Sequence, residues 1–309
     1  MSFVILPDVT CDLNAEIREF FGLNDYIRGH IIFDGERDIP TTLDWDNMSR
    51  ENFYKLLNDK KHTVSTAPAN AEEYYARFRE YAEKGVDIIS ISLSSSISAT
   101  YKFACAARDR VLQEYPNVKI ACVDSFRMSG GIGVLVMNAL MMQKNGCGFD
   151  EIAAWLEENK CRVHQMGPID DLMVVARRGR ITMGKAIMGS FAGVKPMGDC
   201  NAHGYTTILG KAKGIKKAIE ATAKYVAATI TSPEEQYILV SHTDRDEIAL
   251  MLKQRLEELV PVKKVLVSDV FMGCAPNIGA GMIGVYYLGK PITEDLAEEK
   301  ETLNRVLGK

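Results

Sequence analysis

Apolar and polar positions change places along the first half of the chain in a way that predicts strand and helix by turns. Residues 3–6 are a short apolar run closed by the polar turn Asp8-Val9-Thr10-Cys11-Asp12, and apolar residues then recur at helical spacing over 14–21. Residues 26–33 are rich in strand formers and end at Asp34-Gly35, a hairpin signal. Helical spacing returns over 48–57 and 71–84, where Gly85 stops it, and 86–93 follow as a nearly continuous apolar run. Such a run suits a parallel strand covered on both faces. A helix over 98–114, a strand over 118–123 and a helix rich in small residues over 129–144 complete the alternation. Strands and helices joined in this order by short loops predict a doubly wound, mostly parallel sheet.

Near Gly146 the pattern shifts. A helix is predicted over 150–159, and 162–200 is broken by the turn Arg177-Arg178-Gly179-Arg180. Residues 194–197 and 205–209 read as the two arms of a hairpin. A long amphipathic helix is predicted over 215–228, then strand, helix and strand over 237–241, 244–259 and 262–267. The last strand falls at 283–287, and a charged tail is expected after Glu294. No internal repeat or low-complexity segment interrupts this. The expected organisation is an α/β lobe over 1–155, carrying loops suited to a ligand head group, and a second α/β lobe with a mixed sheet over 156–309.

Composition narrows the function classes. A chain of 309 residues that is 47% hydrophobic and 25% charged is globular, not fibrous or disordered. Its net charge of −4 offers no footprint for a nucleic acid or an anionic membrane surface. No apolar run is long enough to span a bilayer, and the opening residues read as a first strand, not a signal peptide. Seven cysteines, odd in number and without CxxC spacing, read as reduced thiols of a cytoplasmic protein. The five histidines lack metal-ligand spacing, so no metal site is expected.

Five segments could carry chemistry. Asp8-Val9-Thr10-Cys11-Asp12 follows a strand, where parallel sheets place their ligand crevice, although Thr10 or Asp12 could simply cap the next helix. Residues 63–70 are rich in hydroxyls at a helix entry and read either as a loop and cap or as part of a site. Leu93-Ser94-Ser95-Ser96-Ile97-Ser98-Ala99-Thr100-Tyr101 joins a buried strand to a helix start, where free N–H groups and serine hydroxyls favour an anion. A nucleophilic serine there lacks the G-x-S-x-G elbow, and spacing does not place the candidate bases His62 and His164. Arg177, Arg178 and Arg180 could grip an anion, dock a partner or form a solvated turn. The Gly-rich loop 273–281 fits neither a Walker loop nor a dinucleotide fingerprint. Met128, Met137, Met141, Met142, Met166, Met173, Met183, Met188 and Met197 crowd the middle third, suiting either ordinary core or an apolar pocket for a long guest.

In order along the chain, these motifs resemble those of the DegV family of bacterial fatty-acid-binding proteins over residues 3 to 290. Asp8-Val9-Thr10-Cys11-Asp12-Leu13 is similar to D-S-T-A-D-L, Ser65-Thr66-Ala67-Pro68 to T-S-Q-P, and Ser94 through Tyr101 to S-S-x-L-S-G-T-Y. Asp124-Ser125 with Ser129-Gly130 and Gly133 fits the next block. Arg177-Arg178-Gly179-Arg180-Ile181 is similar to K-G-G-R-I, Gly189-Ser190 through Lys195-Pro196 to G-S-L-L-N-I-K-P, and Lys211 through Lys217 to K-x-R-G-x-K-K. The resemblance implies a two-lobed DegV-like fold and a carrier that is no enzyme and needs no cofactor. One long-chain fatty acid would lie in a tunnel between the lobes, its carboxylate presented to a fatty-acid kinase catalytic subunit. By that resemblance Ser65, Ser95 and Ser98 hold the carboxylate, with Ser96 and Thr66 beside them, and Arg177, Arg178 and Arg180 form a rim or docking surface. The late loop, with Ala275, Asn277 and Gly279, departs from the family's H-T-G-P-G and lacks its histidine; Ala99 and Arg178 replace family glycines. The alternative reading is a serine-dependent acyl hydrolase or a phosphoryl-transfer component on the same fold.

Overall fold

The computed structural model describes residues 2–170, 172–182 and 193–309. Met183, Met188 and the Gly189-Ser190 part of the motif lie outside the described residues. From the start of the chain, β1 (Phe3–Pro7) leads through a 3-10 turn at Val9–Cys11 into α1 (Ala15–Phe21). A hairpin of β2 (His30–Phe33) and β3 (Arg37–Pro40) follows, turning at Asp34-Gly35 as expected, then α2 (Arg50–Asn58) and β4 (Val64–Ala67), which pairs antiparallel with β2. Next come α3 (Ala71–Ala82), β5 (Asp87–Ser92), α4 (Thr100–Glu114), β6 (Ile120–Asp124), α5 (Gly130–Lys144) and α6 (Phe149–Asn159).

The strands β1, β5 and β6 form a parallel sheet in that order. All six residues of β5 are buried, as its unbroken apolar run implies. Successive side chains point to opposite faces. Leu6, Ile88 and Ile120 join a core with α3 and α4, while Ile5, Ile89, Ile91 and Val123 join one with α5 and α6. Helices thus cover both faces, the doubly wound arrangement expected.

The second half runs β7 (Val163–Pro168), α7 (Leu172–Arg177), β8 (Ile181–Thr182), β9 (Val194–Cys200), β10 (Thr206–Lys213) and α8 (Ile215–Thr229). It continues through β11 (Tyr237–His242), α9 (Asp246–Leu259), β12 (Lys264–Asp269), α10 (Ala275–Ile278), β13 (Ile283–Leu288) and α11 (Ala297–Val306). Seven strands form one mixed sheet in the order β12-β11-β13-β7-β9-β10-β8, parallel at its two outer pairs and antiparallel between them. The β9–β10 pair is a hairpin, as read from the sequence, but its arms are longer than expected: Thr206–Ile208 face Cys200–Gly198, and Val194–Met197 face Lys213–Gly210.

Helix α5 joins the two halves. Ten of its fifteen residues are buried, and it packs against β1 and β5 on one side and β7, β11 and β13 on the other. A helix apolar all round belongs between two layers. Its glycines set the spacing: a Cβ on Gly133 would stand 2.7 Å from the Cys11 carbonyl oxygen, and one on Gly130 2.5 Å from the Tyr286 ring.

Two expectations are corrected. The segment after Glu294 is no loose tail. It forms α11, with Leu296 and Leu303 buried in the second core and Glu299 accepting from the Thr293 N–H and hydroxyl. Its apolar residues are sparse, yet good helix formers surround them. Nor does Thr10 or Asp12 cap α1. Asn14 does, accepting from the Ile17 N–H at 3.0 Å, while Asp8 caps the 3-10 turn.

Candidate functional site

The ends of β1 and β5 and the start of α4 meet β4, β7, β9, β13 and α10 around one cleft. Its empty space is about 1150 Å³ with the open mouth included. Carboxyl ends of parallel strands are where open α/β sheets place ligands. Its lining brings polar side chains, Thr66, Ser98, Asn277, Arg180, Arg28 and His30, together with apolar ones, Met128, Ile169, Val175, Met282, Ile283 and Tyr286. Gly167 keeps a wall thin there, since a Cβ on it would stand 1.9 Å from the Ile283 carbonyl oxygen.

Strand pairing decides which hydroxyls face in. On β4, Thr66 lies opposite Ile31 and Ser65 opposite Ile32, so the two hydroxyls take opposite faces. Thr66 lines the cleft and accepts a hydrogen bond from Asn277 Nδ2 at 2.9 Å; Ser65 is not in the lining. The serine turn divides likewise. Ser98 lines the cleft and shares a 2.7 Å hydrogen bond with Thr100. Ser95 is exposed, its N–H donating to the Asp124 carboxylate, and Ser96 donates its hydroxyl proton to the His203 carbonyl at 2.5 Å.

The arginines also separate. Arg180 lines the cleft and donates to the Arg178 carbonyl. Arg178 donates to the Val64 carbonyl at 2.6 Å, which ties the turn to β4, and Arg177 is exposed at the end of α7. In the late loop Asn277 lines the cleft, whereas Ala275 is buried in the core and Gly279, at φ +81°, ends α10. Met128 and Met282 border the cleft; Met137, Met166 and Met197 are core, and Met173 is exposed.

Buried acids hold the loops that frame the cleft. Asp8 accepts from the Thr10 N–H and hydroxyl and, at 2.7 Å, from the Leu93 N–H, pinning the end of β1 to that of β5. Burial pushes its carboxyl above the ordinary value, against those hydrogen bonds. Asp12 accepts from the Ser129 hydroxyl at 2.6 Å and the Phe271 N–H at 2.9 Å, and burial pushes it up to about 7.

Among the cleft residues that the sequence reading did not single out are Arg28 and His30. Gly29 between them was the available signal, because a glycine inside a strand pattern marks a close backbone approach. A Cβ there would stand 2.9 Å from the Ala67 carbonyl oxygen. His30 bonds to Asp38 and Glu73; burial opposes its charge, but these two carboxylates outweigh burial and raise its pKa.

The arrangement offers hydrogen bonds and apolar surface. His164 is buried against Asp199 at 2.6 Å, and His62 is an exposed partner of Asp34. Among the described residues no histidine ring bonds to a serine hydroxyl. His242, Asp246 and Asp269 bring potential ligand atoms within 4.8 Å of one another. There Arg50 already supplies the cation, bonding both carboxylates, and the Arg245 N–H donates to His242 Nδ1. Among the described residues no helix is long and apolar enough to cross a membrane.

Comparisons with known proteins establish the family. Residues 2–290 match the family model of the uncharacterised DegV family proteins. A DegV domain-containing protein of Clostridium perfringens is 34% identical over 290 residues, covering 93% of this chain and 97% of its own. Among solved structures, a fatty-acid-binding DegV family protein of Thermus thermophilus superposes with a TM-score of 0.82 at 22% identity, over 94% of this chain and all of its own. The Fatty Acid Kinase B3 protein of Streptococcus pneumoniae, loaded with linoleic acid, does so with a TM-score of 0.79 at 15% identity and the same coverage. With a family match over nearly its whole length and a relative at that identity, the chain belongs to the DegV family.

Proposed function

We propose that this protein is a carrier that holds one long-chain fatty acid in the cleft. The observation that carries the proposal is a single cavity whose lining offers hydroxyl and amide donors together with a large share of apolar side chains. That is the chemistry of one polar head and a long tail. In this reading Thr66 and Ser98 donate to the carboxylate, Asn277 supports them, and Arg28 and Arg180 stand at the rim. Ser65, Ser95 and Ser96 belong to the surrounding scaffold. The tail lies along Met128, Ile169, Met282 and Tyr286. At ~0.8 kcal/mol per buried methylene, a chain of about fourteen contributes roughly 11 kcal/mol before ordering costs.

The carrier works in the cytoplasm without a cofactor and presents the head group to a partner kinase, for which exposed Arg177 is a docking candidate. Its two lobes, 1–155 and 156–309, wall the cleft together. The similarity to the Fatty Acid Kinase B3 protein loaded with linoleic acid, and to a fatty-acid-binding DegV family protein, speaks for this reading. The hydrolase alternative is disfavoured by the distance in partnership between serines and histidines: His164 and His62 are both committed to aspartates.

Native mass spectrometry of freshly purified protein, followed by denaturing extraction, tests the proposal. The expected result is one bound fatty acid per chain. The Thr66→Val with Ser98→Ala double variant should lose it, while Ser65→Ala with Ser95→Ala should keep it. Protein that carries no lipid and takes up none from a fatty-acid solution overturns the proposal.

A further inference from the structure

We infer that Asn277 is a positioning residue that turns the Thr66 hydroxyl into a dedicated donor for the ligand's carboxylate. The inference rests on the fatty-acid reading and gives its head-group contact a direction. A hydroxyl has one proton to give and lone pairs to accept with. Asn277 Nδ2 donates to Thr66 Oγ1 at 2.9 Å, so a lone pair is engaged and the proton is left over. Among the described residues the Thr66 hydroxyl has no other partner. Both residues line the cleft, so that proton is directed where a carboxylate would lie.

The surroundings hold Asn277 in place. It occupies one turn of helix that starts at Ala275-Pro276 and is closed by Gly279, whose N–H donates to the Ala275 carbonyl at 2.8 Å. Ala275 and Pro276 are buried, and the Cys274 thiol faces the Thr10 carbonyl at 3.7 Å. Thr66 is fixed by the β2–β4 pairing. Two anchored backbones therefore set the amide-to-hydroxyl distance before any ligand arrives. The amide carries no charge and no titratable proton, and the loop 273–281 holds no histidine. The head group is selected by donor geometry at this point of the cleft.

The test is a double-mutant cycle read with two ligands of equal chain length, a long-chain fatty acid and the matching fatty alcohol. The wild type should bind the acid more tightly. Asn277→Ala and Thr66→Val should each weaken the acid by about 10- to 100-fold, the worth of a hydrogen bond to a charged group. The double variant should lose no more than Thr66→Val alone, because Asn277 acts through Thr66. Alcohol affinity should change little throughout, which also reports that the cleft is intact. Losses that add, equal losses for acid and alcohol, or an unchanged Asn277→Ala variant overturn the inference while leaving the carrier reading standing. A wild type that binds neither ligand overturns the carrier reading itself.

Discussion

Asp12→Asn should make the protein more stable at neutral pH and flatten part of its pH dependence. Asp12 is fully buried and joins three segments, its own turn, the start of α5 through Ser129 and the chain after β12 through Phe271. Burial pushes its carboxyl up to about 7, whereas in the unfolded chain it returns to near 4. Between those values the unfolded chain is ionised and the folded one protonated, so unfolding releases a proton and stability falls as pH rises. The contribution is fully present below pH 4 and is lost as pH rises through about 7. At about 1.4 kcal/mol per tenfold in proton affinity, the gap amounts to about 4 kcal/mol. Asparagine keeps the shape, accepts from the Phe271 N–H through its oxygen, gives Ser129 a donor and tolerates the φ of +50° at this position. Urea denaturation of both proteins at pH 4, 6 and 8 reads the difference. It should be near zero at pH 4 and approach about 4 kcal/mol in favour of the variant at pH 8. A difference that stays constant with pH, or a variant that is weaker at pH 8, refutes the reasoning.

Three further outcomes are expected. His164→Ala leaves the Asp199 carboxylate buried without the imidazole that bonds it at 2.6 Å, and should cost about 3–5 kcal/mol in chemical denaturation at pH 7. Although burial opposes it, the pairing with His164 holds Asp199 below the ordinary carboxylate value, so this stability is present above pH 4 and disappears as acid takes the pH down through the folded value. Gly167→Ala drives a methyl into the Ile283 carbonyl, and should cost about 1–3 kcal/mol by thermal or urea unfolding and weaken ligand retention through a displaced cleft wall. Arg50→Met removes the guanidinium shared by Asp246 and Asp269. It should speed proteolysis around α2 while changing global stability by no more than about 1 kcal/mol, as befits a half-exposed ion pair.

The order of strands and helices was legible because apolar spacing follows backbone period, and β5 and α5 are the clearest cases. Facing was less so. Ser65 and Thr66 differ by one position, and only the β2 register turns Thr66 inward. No local pattern carries that register. The serine turn looked uniform in sequence, yet backbone geometry sends Ser98 to the cleft and Ser96 to the His203 carbonyl. Asp12 read as a cap because its partners, Ser129 and Phe271, lie 117 and 259 residues away. The helix α11 was hidden by its charges, since Leu296 and Leu303 gain meaning only from the sheet-side core they complete.

Because α5 is wedged between the parallel sheet and the mixed sheet, the core around it is closed only by both halves of the chain together. A break near residue 155 would strip α5 of β7, β11 and β13, leaving an oily face open on both fragments. Heating should therefore give one calorimetric peak for the intact chain. A guest in a cleft walled from both halves binds only when both are assembled, so saturating it should move that single peak upward as a whole. Loading and structural integrity become one equilibrium, and the empty protein is the form that proteases meet first.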